Sequence, residues 1–508
     1  MPTIRAAPDL AAEAGHEGVV FPAGPDGRRS TTAVGKSVLA EAVAASAPQV
    51  AAAIEGECDW RHAYPVHVRQ LVELGAADAV VAQAIATSGL AALHRRFEFV
   101  RDGRAMLLHE AMAAFTSGGF QTVTIKGTGA GTPELVVPYH GKRLVGDELR
   151  RQIDRWVDAA VVEPSFAAAI GVVLDHPEWL DLADSHVAIL GAGAELGPFP
   201  ILSRWRANVA VVDVPGRTAW ESILAAARAG NGRVLIPVRE ACSATDPQLA
   251  GKAGADLLTN TPEIRTWLAD MPGPLAVGCY AYLDGEAHVR VAMAMDAIVA
   301  DLLAKRRDVM PAYLLTPTDL YAVPAEAAEA AVQRWQSRGA TRWLQDPLRW
   351  ASGNRLFRPN ISEITEGAGG CRAAIVDSLV IQQGANYMLA KRLQQWRATA
   401  ARLTGARVSA KIAPATRTRS VVKSRPLAAA YNGAHHFGVE IFEPDCANAL
   451  MAALLVHDLR TATGCAAPSV RLANPLALFV EAAAHGGLWR MAYAPRSVLP
   501  LAAILGLF

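Results

Sequence analysis

Paired cysteines are missing from this chain. Its six cysteines, Cys58, Cys242, Cys279, Cys371, Cys446 and Cys465, lie far apart, and none forms a Cys-x-x-Cys pair. That spacing supports neither a zinc site nor a redox dithiol, so no metal is expected. Free thiols in a reducing cytoplasm are the expected state. An excess of either charge is missing too: 49 Lys and Arg against 48 Asp and Glu give a net charge of +1. Without a basic footprint, nucleic acid is not an expected partner. No uninterrupted apolar run is long enough to span a bilayer. Residues 1–18 contain no apolar stretch of the secretory kind, so a cytoplasmic location is expected. The apolar tail from Ser497 to Phe508 is too short to cross a membrane. Docking on the protein or a second copy is its expected role, with a peripheral membrane contact as the alternative.

Apolar residues make up 52% of the 508-residue chain and charged residues 19%, which suits large packed cores. Residues 1–180 read as a mostly helical N-terminal domain, with alanine-rich runs at Ser37–Ala45 and Leu74–Ala82. Within it, Gln121–Pro138 reads as a hairpin, and 147–172 as one amphipathic helix. Gly35-Lys36-Ser37 is not a phosphate loop, because Ser30 stands where such a loop needs glycine. From residue 186 to the end the texture changes. Strand candidates at 186–190, 208–213, 233–238, 275–280 and 312–316 alternate with helical patterns at 218–230 and 288–305. This implies an α/β domain with a parallel sheet buried on both faces. Residues 320–370, rich in Trp, Arg and Pro, interrupt the alternation and read as an insertion.

Two motifs carry chemistry. The first strand runs into Gly191-Ala-Gly193-Ala-Glu195-Leu-Gly197. Gly191 suits a tight turn, Gly193 close approach of backbone to a pyrophosphate, and Gly197 close packing of helix on strand. Asp213 closes the second strand, where a carboxylate accepts from a ribose hydroxyl. This favours NAD over NADP, although Arg217 nearby suits a 2′-phosphate. These features point to a Rossmann-like, doubly wound sheet. The second motif is Tyr387-Met-Leu-Ala-Lys391, which puts a phenol and an ammonium one helical turn apart. A lysine so placed is expected to lower the phenol pKa, and the pair can pass a proton to or from a carbonyl or alcohol oxygen.

The succession of glycine turn, Ala373–Ser378, the Tyr387–Lys391 helix, Ala406–Pro414 and then Thr416 and Thr418 resembles the short-chain dehydrogenase/reductase family over residues 186–490. The resemblance implies that Tyr387 is the general acid/base and that Lys391 holds the nicotinamide ribose. It implies that Ser378 bonds the substrate oxygen, with Thr316 or Thr318 competing for that place. It also implies that Thr416 or Thr418 meets the cofactor carboxamide. The implied activity is an NAD(P)-dependent interconversion of a carbonyl and an alcohol. The tryptophans of the insertion, Trp335, Trp343 and Trp350, and the apolar tail suggest a large apolar or carrier-bound carbonyl substrate. The alternatives are a non-catalytic nucleotide-binding or assembly protein, and an epimerase or dehydratase using the same tyrosine. The family habit of pairing subunits near His485–Trp489 implies a homo-oligomer. His435 and His436 fall where substrate pockets are shaped, while Asp377 and Glu440 have no evident partner in the sequence.

Overall fold

A seven-stranded sheet organises the chain in the computed structural model, which describes residues 5–6, 17–116, 119–366 and 372–507. Cys371 lies outside the described residues, as does most of the segment read for a secretory signal. In chain order the strands are β1 (Gln121–Lys126), β2 (His186–Leu190), β3 (Asn208–Val212), β4 (Arg233–Val238), β5 (Leu275–Cys279), β6 (Val309–Leu315) and β7 (Ser409–Ile412). Their order across the sheet is β7-β6-β5-β2-β3-β4-β1. All neighbours are parallel except β1, which pairs antiparallel with β4 in the register Gln121↔Val238. The protein is thus a mixed α/β fold with a largely parallel sheet.

The inner strands β2 to β6 are mainly apolar because both faces are covered, whereas the edge strand β1 alternates and buries only Val123 and Ile125. Side chains alternate between two cores: Val187 and Ile189 enter one, Ala188 and Leu190 the other. Between the strands and around the sheet run α1 (Trp60–Ala77), α2 (Ala79–His94), α3 (Phe199–Arg204), α4 (Glu286–Lys305), α5 (Arg342–Ala351), α6 (Gly384–Leu403) and α7 (Pro444–Arg460). α2 lies against α6 so closely that a Cβ on Gly89 would meet the Trp396 ring at 2.5 Å, which requires glycine there.

Five expectations are corrected. Gln121–Pro138 is not a hairpin: its first strand completes the main sheet, while Val137–Tyr139 pairs with Lys142–Leu144. The strand pairs with the free edge of β4, where Val123 and Ile125 join Val234 and Ile236 in one core. The single helix over 147–172 is two, Gly146–Asp158 and Pro164–Asp175, parted by a turn in which Ala160 has φ +55°. The insertion is wider than 320–370. It begins after β6, ends at α6, and builds its own antiparallel sheet from Leu320–Pro324, Ile364–Glu366 and Arg372–Asp377. His485 to Trp489, where the resemblance implies the last strand region near a subunit contact, is a turn rather than a strand, with both named side chains at 0% exposure. The boundary expected near residue 180 falls inside both cores, which draw side chains from either side of it.

The C-terminal helix Pro495–Leu505 packs on Arg425–Asn432, where the carbonyl of Ala502 would lie 2.1 Å from a Cβ on Gly433. Among the described residues, no helix is long and apolar enough to cross a membrane.

Glu163 anchors the His485 turn. It accepts from His485 Nε2 at 2.9 Å and from Arg490 Nε and Nη2 at 2.7 and 2.6 Å. The N–H of Gly487 donates to His485 Nδ1, which fixes Nε2 as the protonated nitrogen. Burial pushes the Glu163 carboxyl up, but Arg490 and His485 outweigh it and hold the pKa near about 2. A carboxyl lowered on folding stabilises the fold above its unfolded pKa of about 4.5, and loses that stabilisation as pH falls toward about 2. Glu163→Gln should therefore cost roughly 3–5 kcal/mol at pH 7, the range for breaking a buried ion pair. Urea melts of both proteins should converge as pH drops from 5 to 2.

Candidate functional site

α6 crosses from the insertion to β7 and sets its first turn against the C-terminal end of β6. There Thr316 and Tyr387 line one small cavity, where the Thr316 hydroxyl opposes the rise in the phenol pKa. A chain of hydroxyls runs from Thr316 to Thr318 at 2.7 Å, and Thr318 donates to Gln383 Oε1 at 2.9 Å. Lys391 Nζ donates to the Leu314 carbonyl at 3.0 Å and to Gln394 Oε1 at 3.2 Å, and lies 5.6 Å from the Tyr387 ring centroid. One turn on, Arg392 pairs with buried Asp319, and Gln395 Nε2 donates to the same carboxylate at 3.2 Å. Arg397 then binds Asp296 of α4 through Nε and Nη2 at 2.7 and 2.8 Å, while His94 of α2 meets Asp296 at 2.6 Å.

The phenol is not acidified. Burial pushes the Tyr387 pKa up, the hydroxyls of Tyr282 and Tyr431 and the Asp319 carboxylate push the same way, and only the Thr316 hydroxyl opposes them. This corrects the expectation that Lys391 lowers it. The ammonium is turned to the Leu314 carbonyl and is itself weakened by burial, to a pKa of about 8. Tyr387 is therefore a neutral phenol throughout the neutral range.

Two aromatic neighbours complete the cluster and could not be assigned from spacing alone. His288 of α4 stacks on Tyr387 with centroids 5.4 Å apart, and Tyr282 meets it edge-on at 6.2 Å. The N–H of Leu283 donates to His288 Nδ1, so Nε2 carries the proton, and it has no partner among the described residues. Burial holds the His288 pKa down at about 3, with Lys391 adding to the effect. A cavity of about 10 Å³ lies between Tyr64, Thr316, Thr318, Asp319, Gln383, Tyr387 and Lys391. That is roughly the room one water needs. Tyr64 comes from α1 and Gln383 from the insertion, so both chain segments outside the strand–helix alternation wall this site.

Ser378 is not part of it. It follows the insertion strand Arg372–Asp377, its N–H bonds the Asp319 carbonyl, and its hydroxyl is buried without a partner among the described residues. Position explains the correction: Thr316 directly follows β6, whereas Ser378 directly follows a strand of a different sheet. Asp377 is partnered by Arg496, and Glu440 accepts from the Tyr139 hydroxyl at 2.9 Å. His435 and His436 sit in the short turn Ala434–Phe437, with His435 Nδ1 on the Asn432 carbonyl at 2.8 Å.

The glycine turn follows β2. Gly191 has φ +94°, and a Cβ there would lie 2.5 Å from the Ala281 backbone beyond β5, so only glycine lets the two loops close on each other. Asp213 directly follows β3 and accepts from the Gly193 N–H at 2.6 Å and the Val214 N–H at 2.9 Å. Burial raises its pKa against these two bonds. The Gly197 N–H donates to Asn448 Oδ1 of α7 at 3.0 Å. Thr416 and Thr418 follow β7, where Thr416 Oγ1 donates to the Pro414 carbonyl at 2.7 Å. The next residue joins this loop to the glycine turn, because the Arg419 N–H donates to Glu195 at 2.7 Å. Gly191, Gly193, Gly197, Asp213, Thr416, Thr418 and Tyr387 thus all lie beyond the C-terminal ends of parallel strands. A cleft of about 540 Å³ runs beside α3 and reaches the glycine turn at Gly197, lined also by Arg143, Arg204, Asn231, Asp445 and Asn448.

No family model, no curated protein and no solved structure matches the chain.

Removing the stranded hydroxyl of Ser378 should not weaken the fold. Ser378→Ala is expected to leave the thermal midpoint unchanged or raise it, by up to ~1 kcal/mol in stability, since a buried group without a partner costs free energy. A loss above that amount would show that the hydroxyl has a partner in solution.

Proposed function

We propose that the chain is an NAD(P)-dependent oxidoreductase that interconverts a carbonyl and an alcohol, resembling the short-chain dehydrogenase/reductase family. The observation that carries this reading is the pairing of Tyr387 with Thr316 at the same sheet edge as the Gly191 turn. The order β4-β3-β2-β5-β6-β7 supports it, because it is the Rossmann-like order in which ligands sit where the strand sequence reverses, here between β2 and β5.

The residues at that edge fit the ribose end of a dinucleotide best. Asp213 presents a carboxylate beside exposed Gly193, and Thr416 and Thr418 adjoin the turn through Arg419. The phosphate end has few free amides: Gly193 and Gly197 spend theirs on Asp213 and Asn448, and Pro198 and Pro200 have none. Arg419, its side chain 78% exposed beside Glu195, is the cation that would meet phosphate charge. NAD is favoured over NADP because Asp213 would repel a 2′-phosphate. The nicotinamide, when bound, supplies or accepts the hydride.

The protein's own task is the proton. A neutral, buried phenol is a donor, so Tyr387 is suited to protonating the oxygen of a carbonyl as it becomes an alcohol. Thr316 orients the phenol and can relay through Thr318. Lys391, with a pKa of about 8, carries charge at neutral pH and stabilises negative charge developing nearby. The substrate oxygen takes the water-sized space at Tyr387, and a large apolar body requires the 379–384 wall to open. A nucleotide-binding protein without chemistry is the second reading, favoured by the engaged amides of the glycine turn.

Titration of the protein with NADH and NADPH should give a fluorescence change, larger or at lower concentration with NADH. Tyr387→Phe should retain that binding and lower turnover on a panel of apolar ketones by about 10²- to 10⁴-fold, the usual contribution of a positioned acid. Ser378→Ala should leave turnover intact, whereas Thr316→Val should reduce it. Binding without turnover on any ketone would favour the second reading, and absence of binding would remove both.

A further inference from the structure

α5 is built inside out. Of its ten residues, Arg342–Ala351, none is buried. Laid on a helical wheel, Trp343, Leu344, Pro347, Leu348, Trp350 and Ala351 fill one continuous arc, and Arg342, Gln345, Asp346 and Arg349 fill the other. In a helix that packs on its own protein the apolar arc turns inward. Here the polar arc does. Gln345 accepts from the Tyr493 hydroxyl at 2.8 Å, Asp346 from Arg338 at 3.0 Å, and Arg349 lies 5.5 Å from the Trp335 ring centroid. The apolar arc faces outward, with Trp343 at 74%, Leu344 at 70%, Leu348 at 41% and Trp350 at 84% exposure.

The charge around this arc identifies what covers it. Between residues 334 and 358 stand Arg334, Arg338, Arg342, Arg349, Arg355 and Arg358 against a single acid, Asp346, in a chain whose net charge is only +1. Arg342, Arg355 and Arg358 are exposed. Tryptophan and leucine on one face with arginine around them is the composition of a helix that lies in a bilayer interface. The two tryptophans suit the headgroup level, where amphipathic rings concentrate. A second copy of this chain fits less well, since a twofold contact through α5 would set two arginine-rich segments against each other. Ten residues rise only about 15 Å, half a hydrocarbon core, so the helix lies on a membrane and does not span it.

We propose that α5 docks the protein on the surface of an anionic phospholipid bilayer, with Trp343, Leu344, Leu348 and Trp350 entering the interface and the flanking arginines meeting lipid phosphates. This rests on the insertion alone and is independent of the chemistry at Tyr387.

Sedimentation with vesicles tests it. The full chain should sediment with vesicles of phosphatidylcholine and phosphatidylglycerol in equal parts, and stay in solution with phosphatidylcholine alone. High salt should release it, because the arginine contribution is screened. The double variant Trp343→Ser, Trp350→Ser should bind at least about tenfold more weakly, and Arg342→Gln with Arg355→Gln should bind less at low salt. These residues are exposed, so thermal midpoints should match the parent and separate a binding defect from misfolding. No sedimentation with anionic vesicles, or sedimentation unchanged in the tryptophan variant, would overturn the proposal. A dimer that dissociates in the tryptophan variant, with no vesicle binding by the parent, would assign the face to a second copy instead.

Discussion

One buried carboxylate fixes where the candidate chemistry sits. Asp296 is 4% exposed in the middle of α4, a position that costs several kcal/mol unless the charge is matched. It is matched twice, by Arg397 from α6 and by His94 from α2. Burial alone would push the carboxyl up, but Arg397 and His94 hold it well below the usual range, so the charge persists. Three helices distant in sequence are thereby joined at one point. α6 brings Tyr387 and Lys391, α4 brings His288, and α2 lies over both. Gly89 allows that closeness by leaving room for Trp396. The N-terminal 180 residues are therefore not an appendage to the sheet: they brace the helix that carries the tyrosine, and through Tyr64 they wall its cavity.

A second buried pair does for the insertion what Asp296 does for the N-terminal part. Asp319 stands just past Thr316 and Thr318 and holds Arg392 and Gln395 of α6. The chain leaves β6, passes this anchor, builds a three-stranded sheet and two helices, and returns to the same anchor at α6. Residues can be added between these two points without moving Tyr387, because the ends of the excursion are pinned together before it begins. This explains how so long an interruption coexists with Thr316 and Tyr387 lining one cavity.

The sheet was legible because its physics is local. A strand buried on both faces must be apolar throughout, and five such runs separated by helical patterns leave little choice of architecture. The glycine turn was legible for the same reason, since Gly191 needs a positive φ directly after β2. What could not be read depended on contacts between distant segments. Gln121–Lys126 carries an alternation that fits a hairpin or an edge strand equally, and only the vacant edge of β4 decides. Ser378 stands shortly before Tyr387 in sequence, but its strand belongs to another sheet, and Thr316 is the hydroxyl that shares the cavity with Tyr387. The Tyr-x-x-x-Lys spacing brings an ammonium near a phenol, yet the Leu314 carbonyl turns that ammonium aside and burial reverses the expected shift. His288 gave no signal at all, because nothing in its neighbourhood along the chain says that α4 and α6 lie face to face.

The insertion joins two features that the sheet could not host. Its outer helix turns tryptophan and leucine to solvent, while its last residues, Leu379, Val380 and Gln383, close the cavity at Tyr387. Both are consequences of polar anchoring. Arg338 spends its guanidinium on Asp346 and on the Trp335 ring, which holds α5 by its polar side and leaves the apolar side outward. Thr318 holds Gln383 by a single side-chain bond, a weak latch compared with the buried ion pair beside it. α6 stays fixed by Asp319 and Asp296, while the outward apolar face of α5 and the residues that wall the cavity belong to one excursion of the chain.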